Sequence, residues 1–305
     1  MRILSVVVLL VLGVPGVAAA SPAGSDVVVH DLDTDGVAAY WTPERIAAMP
    51  VGPPAPPETP PVDDSTGAPA PDSRSIGRLF FVDRDGEDSS CTATSVVSAN
   101  RRTAVTGGHC VHTANLIGQD PRWHSKMLFV PGFRDGARPF GEFVVRKAIV
   151  NRTWITDDQQ SEYDQAFLVL DKPSAASENI AFGRRADRFA REYGYPRAAG
   201  QPGHQGRPEF TGQRLAQCWG TPVLNPGHPE LPSENVWGVP CDMGGGSSGG
   251  PRTSGNAVVG VNIQSFRVNA AGGYCETEPC VRHLGGAQFS WKITAPLYQR
   301  ASTTH

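Results

Sequence analysis

Cys241-Asp242-Met243-Gly244-Gly245-Gly246-Ser247-Ser248-Gly249-Gly250-Pro251 is the stretch that separates two folds. Gly246 to Gly250 reads as Gly-x-Ser-x-Gly, the strand–turn–helix elbow that exposes a serine on a parallel α/β sheet. That reading requires a helix after Ser248, and Gly249-Gly250-Pro251 followed by Ser254-Gly255 prevents one. It requires an acidic partner beyond the serine, and no aspartate follows Ser248. It requires a preceding parallel α/β sheet, where this chain has short antiparallel-type strands. The α/β elbow is therefore rejected. What remains is a tight, glycine-built turn. Glycines allow the φ values that aim successive N–H groups at one point, so the N–H groups of Gly246 and Ser248 can form an oxyanion hole beside the Ser248 hydroxyl.

Working outward, two further segments suit such a serine. Thr106-Gly107-Gly108-His109-Cys110 follows an apolar strand. Cys91 lies 19 positions before Cys110, and a bridge between them would pin the loop carrying His109. A general base must stay within hydrogen-bond reach of its nucleophile, so anchoring has a physical purpose. Tyr163-Asp164-Gln165-Ala166-Phe167-Leu168-Val169-Leu170 places an acid at the head of an apolar strand. A carboxylate there is costly unless partnered, and an imidazole is its natural partner. His112, His124, His204, His228, His283 and His305 read as surface residues, and Asp157, Asp158 and Asp171 as turn residues.

The surroundings are strand-rich. Leu79–Val82, Thr94–Val97, Thr103–Thr106, Leu128–Val130, Phe143–Val145 and Phe167–Leu170 read as strands, as do segments near Arg214–Trp219, Val258–Ile263 and Gln288–Trp291. With 34 Gly and 27 Pro, this spacing indicates β-barrels or a sandwich. Residues 76–305 suffice for two six-stranded barrels. Asp187–Tyr193 is expected to be a short connecting helix.

The N-terminus reads as a signal peptide over residues 1–20. Arg2 supplies its charge, Ile3–Val17 its apolar run and Ala18-Ala19-Ala20 its cleavage site. Residues 21–75 do not resemble the core. Pro50 to Pro71 holds nine prolines in 22 residues, a semi-extended linker. Thr42 and Pro43 predict a short helix through Met49. A small ordered segment before a Pro-rich linker suggests a propeptide. Asp31-Leu32-Asp33-Thr34-Asp35-Gly36 opens like a calcium loop, but Thr42 stands where a bidentate Glu is needed, so it reads as a solvated turn. The six cysteines, Cys91, Cys110, Cys218, Cys241, Cys275 and Cys280, suggest three disulfides in an exported chain, with 15 pairings open. A net charge of -3 gives no reason to expect nucleic acid or an anionic membrane surface as partner.

Three motifs in the order His, Asp, Ser make the family recognisable. The chain resembles chymotrypsin-like serine proteases, especially the bacterial secreted glutamyl-endopeptidase type. Thr106–Cys110 is similar to the family's T-A-A-H-C, Asp164–Leu168 to D-x-A-x-L, and Gly246–Pro251 to G-D-S-G-G-P. The resemblance implies an all-β fold of two six-stranded antiparallel barrels. Residues 76–188 would carry His109 and Asp164, residues 189–305 would carry Ser248, and the active site would lie in the cleft between them. It implies a secreted, monomeric endopeptidase acting on protein or peptide substrates without metal or organic cofactor, and without membrane attachment once the signal is removed. The expected disulfides are Cys91–Cys110, Cys218–Cys241 and, by elimination, Cys275–Cys280. Two departures stand out. Ser247 replaces the aspartate that pairs with a freed N-terminus in animal members. The expected pocket strand Gly260–Ser265 lacks the histidine of glutamyl endopeptidases, so glutamate specificity is not supported. Asp242, Asn262 and Gln264 are the candidate specificity-pocket residues. The competing readings are a catalytically silent, partner-binding homologue and an esterase using the same triad.

Overall fold

The computed structural model describes residues 26–49, 67–113, 122–156, 160–197, 210–227, 235–275 and 279–305. The signal peptide and most of the Pro-rich linker lie outside these residues. In chain order the main elements are β1 (Val27–Asp31), the short helices α1 (Val37–Tyr40) and α2 (Pro43–Ala48), β2 (Ile76–Val82), β3 (Asp88–Ser95), β4 (Thr103–Thr106), β5 (Ser125–Pro131), β6 (Phe143–Asn151), β7 (Ala166–Leu170), β8 (Ala190–Gly194), β9 (Ala216–Gly220), β10 (Val236–Pro240), β11 (Pro251–Ser254), β12 (Ala257–Val261), β13 (Gln264–Val268), β14 (Val281–Ala287) and α3 (Thr294–Thr303).

The first barrel is closed. Its strands follow the order β2-β3-β4-β7-β6-β5, every neighbour antiparallel, and β5 returns to pair with β2. Leu79, Ala93, Ala104, Phe129, Val145, Leu168 and Leu170 fill its interior. The second half forms two antiparallel sheets. One contains β12-β11-β8-β9 and the other β10-β14-β13, with a bridge between Gly260 and Gln288 linking them. Ala190, Phe210, Cys218, Val239, Met243 and Leu284 pack between them. The fold is all-β, with one closed six-stranded antiparallel barrel and a second half whose barrel is not clearly closed.

Several expectations need correction. Asp187–Tyr193 is no helix: β8 occupies Ala190–Gly194, because Ala190, Glu192 and Gly194 are buried while Arg191 is exposed, the period-2 pattern of a strand. The last strand lies at Val281–Ala287, before the expected Gln288–Trp291, which instead leads into α3. That helix, unread in the sequence, returns to the first barrel and packs Leu297 and Ala301 against Ile149, Phe167 and Val169. The short helix at Thr42–Met49 is present, and Thr42 Oγ1 accepts the Arg45 N–H at 3.2 Å. Residues 26–49 do not stand apart, however. β1 pairs with the far end of β6 along five residues, and Trp41 is fully buried.

Candidate active site

His109 sits in a 3-10 turn, Gly108–Cys110, directly after β4. The Cys91–Cys110 disulfide ties this turn back to β3. Asp164 ends a second 3-10 turn just before β7, which pairs with β4. The ladder brings the two together. Asp164 Oδ1 accepts the His109 backbone N–H at 2.8 Å, and Asp164 Oδ2 meets His109 Nδ1 at 2.8 Å. The aspartate side chain is 8% exposed and the imidazole 32%. Burial alone would push the imidazole pKa down, but the charge and hydrogen bond of Asp164 outweigh it and hold His109 above its ordinary value. His112, His124 and His283 are buried rather than at the surface as expected, and burial pushes the nearby His112 and His124 down to about 4, so they stay neutral beside it.

Ser248 lies on the loop before β11 and is partly exposed. Gly246 and Gly249 adopt left-handed φ of 90° and 76°. A Cβ on Gly246 would meet the Tyr195 carbonyl at 2.5 Å, and one on Gly249 would meet Thr106 Oγ1 at 2.0 Å and the Gly107 N at 2.8 Å. The residue after Ser248 therefore presses against the loop that carries His109. Among the described residues, the backbone N–H groups of Gly246 and Ser248 donate to no protein acceptor, and no hydrogen bond joins His109 to Ser248.

Thr92 and Trp154 hold this arrangement, and no motif announced either. The Thr92 N–H donates to the Ser248 carbonyl at 2.7 Å, its hydroxyl donates to the Gly246 carbonyl at 2.9 Å, and Thr92 Oγ1 accepts the Tyr195 N–H at 2.9 Å. Trp154, buried, lies over Gly108 beside Asp164. Their signal was weak: Thr92 is only the neighbour of Cys91, and Trp154 one aromatic in a helical turn.

The candidate pocket residues divide. Asp242 is buried and accepts the Gly67 N–H at 2.5 Å, so the segment ahead of the first barrel engages it. Asn262 is fully buried and serves the serine loop. It donates through Nδ2 to the carbonyls of Tyr193 and Ser247 at 2.9 and 3.4 Å, and its backbone pairs with Gly249 and Gly250. Gln264 opens β13, where its Oε1 accepts the Ser161 hydroxyl at 3.2 Å, across from the loop leading to Asp164. The three disulfides are Cys91–Cys110, Cys218–Cys241 and Cys275–Cys280. With Cys91 and Cys110 bridged, the cluster of Cys91, His109 and Cys110 offers no thiolate to a metal. No helix among the described residues is long and apolar enough to cross a membrane.

No protein-family model matches the chain, and no curated protein sequence matches it. Solved structures do. The thermostable serine protease AL20 from an extremophilic microorganism is 29% identical, with a TM-score of 0.60 over 76% of this chain and 99% of that one. The protease Anisep from Arthrobacter nicotinovorans is 24% identical, with a TM-score of 0.61 over 78% of this chain and 100% of that one. A Glu endopeptidase is 19% identical, with a TM-score of 0.57 over 79% of this chain and 98% of that one. The chain thus shares its fold with bacterial chymotrypsin-like serine proteases over most of its length.

Proposed function

We propose that this chain is an exported serine endopeptidase that hydrolyses peptide bonds with Ser248 as nucleophile, His109 as general base and Asp164 as its orienting acid. The observation that carries the reading is the doubly hydrogen-bonded His109–Asp164 pair beside a serine loop that Thr92 and Gly249 hold against the same turn. The likeness to AL20, a serine protease, supports it.

In this mechanism Ser248 Oγ attacks the scissile carbonyl while His109 Nε2 takes its proton. Asp164 holds the proton of Nδ1 and stabilises the imidazolium. The N–H groups of Gly246 and Ser248, which have no protein acceptor among the described residues, receive the oxyanion. His109 then protonates the leaving amine, and water resolves the acyl-enzyme along the same path. The mechanism requires the His109–Ser248 hydrogen bond in the Michaelis complex, where such catalytic bonds tighten. Three disulfides suit export, and residues 1–20 would be its signal. The hydrogen bond from Gly67 to Asp242 argues against a free carboxylate waiting for a basic side chain, so selectivity for Lys or Arg is not part of the proposal.

The test is intact-mass analysis of the full chain after fluorophosphonate treatment, beside Ser248→Ala. One adduct on the parent and none on the variant is expected. A folded, disulfide-bonded parent that takes no adduct would overturn the reading in favour of a silent, partner-binding homologue. Labelling with turnover of esters but not of peptides would make it an esterase.

A further inference from the structure

The segment ahead of the Pro-rich linker has two faces, and both are occupied. On β1, Val27 and Val29 pack with Val105, Ile149, Phe167 and α3. Val28, and Leu32 just beyond the strand, pack with the interior of the first barrel. Five consecutive residues form an antiparallel ladder with β6, from Val27 opposite Asn151 to Asp31 opposite Lys147. The hydrogen bonding extends past both ends: Arg152 N donates to the Asp26 carbonyl at 2.7 Å, and Leu32 N to the Arg146 carbonyl at 2.8 Å.

The two helices that follow are seated as firmly. Trp41 is fully buried among Ile46, Phe80, Leu128 and Phe133, and its Nε1–H donates to the Lys126 carbonyl at 2.5 Å. Tyr40 donates its hydroxyl to Asp88 at 2.8 Å, and Arg45 pairs with the same carboxylate at 2.7 Å. A buried indole with its N–H satisfied, beside a full strand ladder, is the construction of an integral element. A discarded peptide would leave β6 with an exposed edge and the Phe80–Phe133 cluster open to water.

This segment also reaches the loop that carries His109. The His30 ring, on β1, stacks flat on Trp123 with centroids 4.2 Å apart. Trp123 meets His112 edge-on at 4.9 Å and pairs with it as a strand partner. His112 is three residues beyond His109. His124, which follows Trp123, donates its backbone N–H to the Val111 carbonyl at 2.9 Å. The His30 imidazole thus backs a strap that crosses the chain immediately after His109. The segment does not plug the site, since the His109 side chain remains 32% exposed.

We propose that residues 26–49 are a permanent clamp on the first barrel: after any cut in the Pro-rich linker they stay bound and, through His30 on Trp123, hold the turn that positions His109. This replaces the expectation of a propeptide that leaves.

The experiment uses the full chain with a site-specific protease sequence substituted for residues 55–61, folded first and cut afterwards. On native size exclusion at about 1 μM, the 26–49 piece is expected to elute with the core. Separation of the two pieces under native conditions overturns retention. The positioning role is read from the rate of fluorophosphonate labelling of uncut protein. His30→Ala is expected to label roughly tenfold more slowly, and His30→Phe, which keeps a ring on Trp123, to label at the parent rate. Equal rates for all three overturn the positioning role. The labelling arm rests on the serine-peptidase reading and the elution arm does not. A chain that takes no label yet keeps its 26–49 piece fails the proposed function alone.

Discussion

The backbone N–H of Thr92 donates to the carbonyl of Ser248 at 2.7 Å, tying the strand that holds Cys91 to the loop that holds the proposed nucleophile. The hydroxyl of the same threonine lies between the Gly246 carbonyl and the Tyr195 N–H. One residue of the first barrel thereby holds the carbonyls of both proposed oxyanion-hole residues, Gly246 and Ser248, in the second half.

Thr92→Val keeps the shape and the backbone bond but strands the buried Tyr195 N–H and the Gly246 carbonyl. A stability loss of about 1–3 kcal/mol is expected, and fluorophosphonate labelling of the folded variant should slow roughly tenfold as the Gly246 peptide drifts. Denaturant midpoints and labelling rates together check this. A variant that loses stability while labelling at the parent rate would show that Thr92 only fastens the barrels.

The pH profile follows from the His109–Asp164 pair. Its imidazole is raised above 6.5 because Asp164 outweighs burial. The neutral ring is the base, so kcat/KM should rise with pH, with a midpoint above 6.5. Asp164→Asn should bring that midpoint down and reduce kcat by up to about 10⁴-fold. For stability the sign is opposite. A raised folded-state pKa contributes stabilisation that is fully present below 6.5 and is lost as pH rises through the folded value. Urea midpoints across this range, parent against His109→Ala, measure it.

Gly108 stands where the T-A-A-H-C motif that Thr106–Cys110 resembles has alanine. A Cβ there would meet Trp154 Nε1 at 2.9 Å and Asp164 Oδ1 at 3.0 Å. Gly108→Ala should therefore displace the carboxylate that orients His109 and slow labelling roughly tenfold. Adding Trp154→Phe makes room and should recover part of the rate. Undiminished labelling in the single variant would mean that the indole simply moves aside.

Glu192 on β8 and Arg252 on β11 lie 3.8 Å apart with almost no exposure. Burial pushes Glu192 up to about 8, and the nearby guanidinium offsets it only in part. Neither Glu192 oxygen makes a well-formed hydrogen bond, and the Val239 backbone N–H lowers its pKa too little to offset burial, so its charged form is poorly housed. Its folded value lies above 4.5, so its contribution to stability is full below 4.5 and falls as pH rises toward 8. Glu192→Gln should remove that slope and gain on the order of 1 kcal/mol at pH 8. Parent and variant urea midpoints at pH 5 and pH 8 decide it, and a variant that is weaker at pH 8 would refute the reading.

Much of the site could be read along the chain because its parts are local. Gly246 and Gly249 must reach left-handed φ values, and a run of glycines announces that wherever it occurs. His109 beside Cys110, and Asp164 at the head of an apolar strand, are likewise short signals. The Cys91–Cys110 bridge could be read from the loop it pins, whereas the pairing of the other four cysteines is settled by the fold. Misreadings arose where neighbours decide. The residues 187–193 hold enough helix formers to suggest a helix, but alternating burial between two strands made Ala190–Gly194 a strand.

The sequence by itself determined the three motifs, their order, the strand-rich architecture and the presence of six cysteines, because each depends on residue type and close spacing. Only the tertiary structure decided that Thr92 grips Ser248, that Trp154 and Asp164 crowd position 108, that Asp242 is engaged by Gly67, and that β1 belongs to the first barrel. Each of these joins segments far apart in the chain. Which strand edges and which buried polar groups meet is set by closure of the barrel and the satisfaction of its backbone, and no local pattern carries that information.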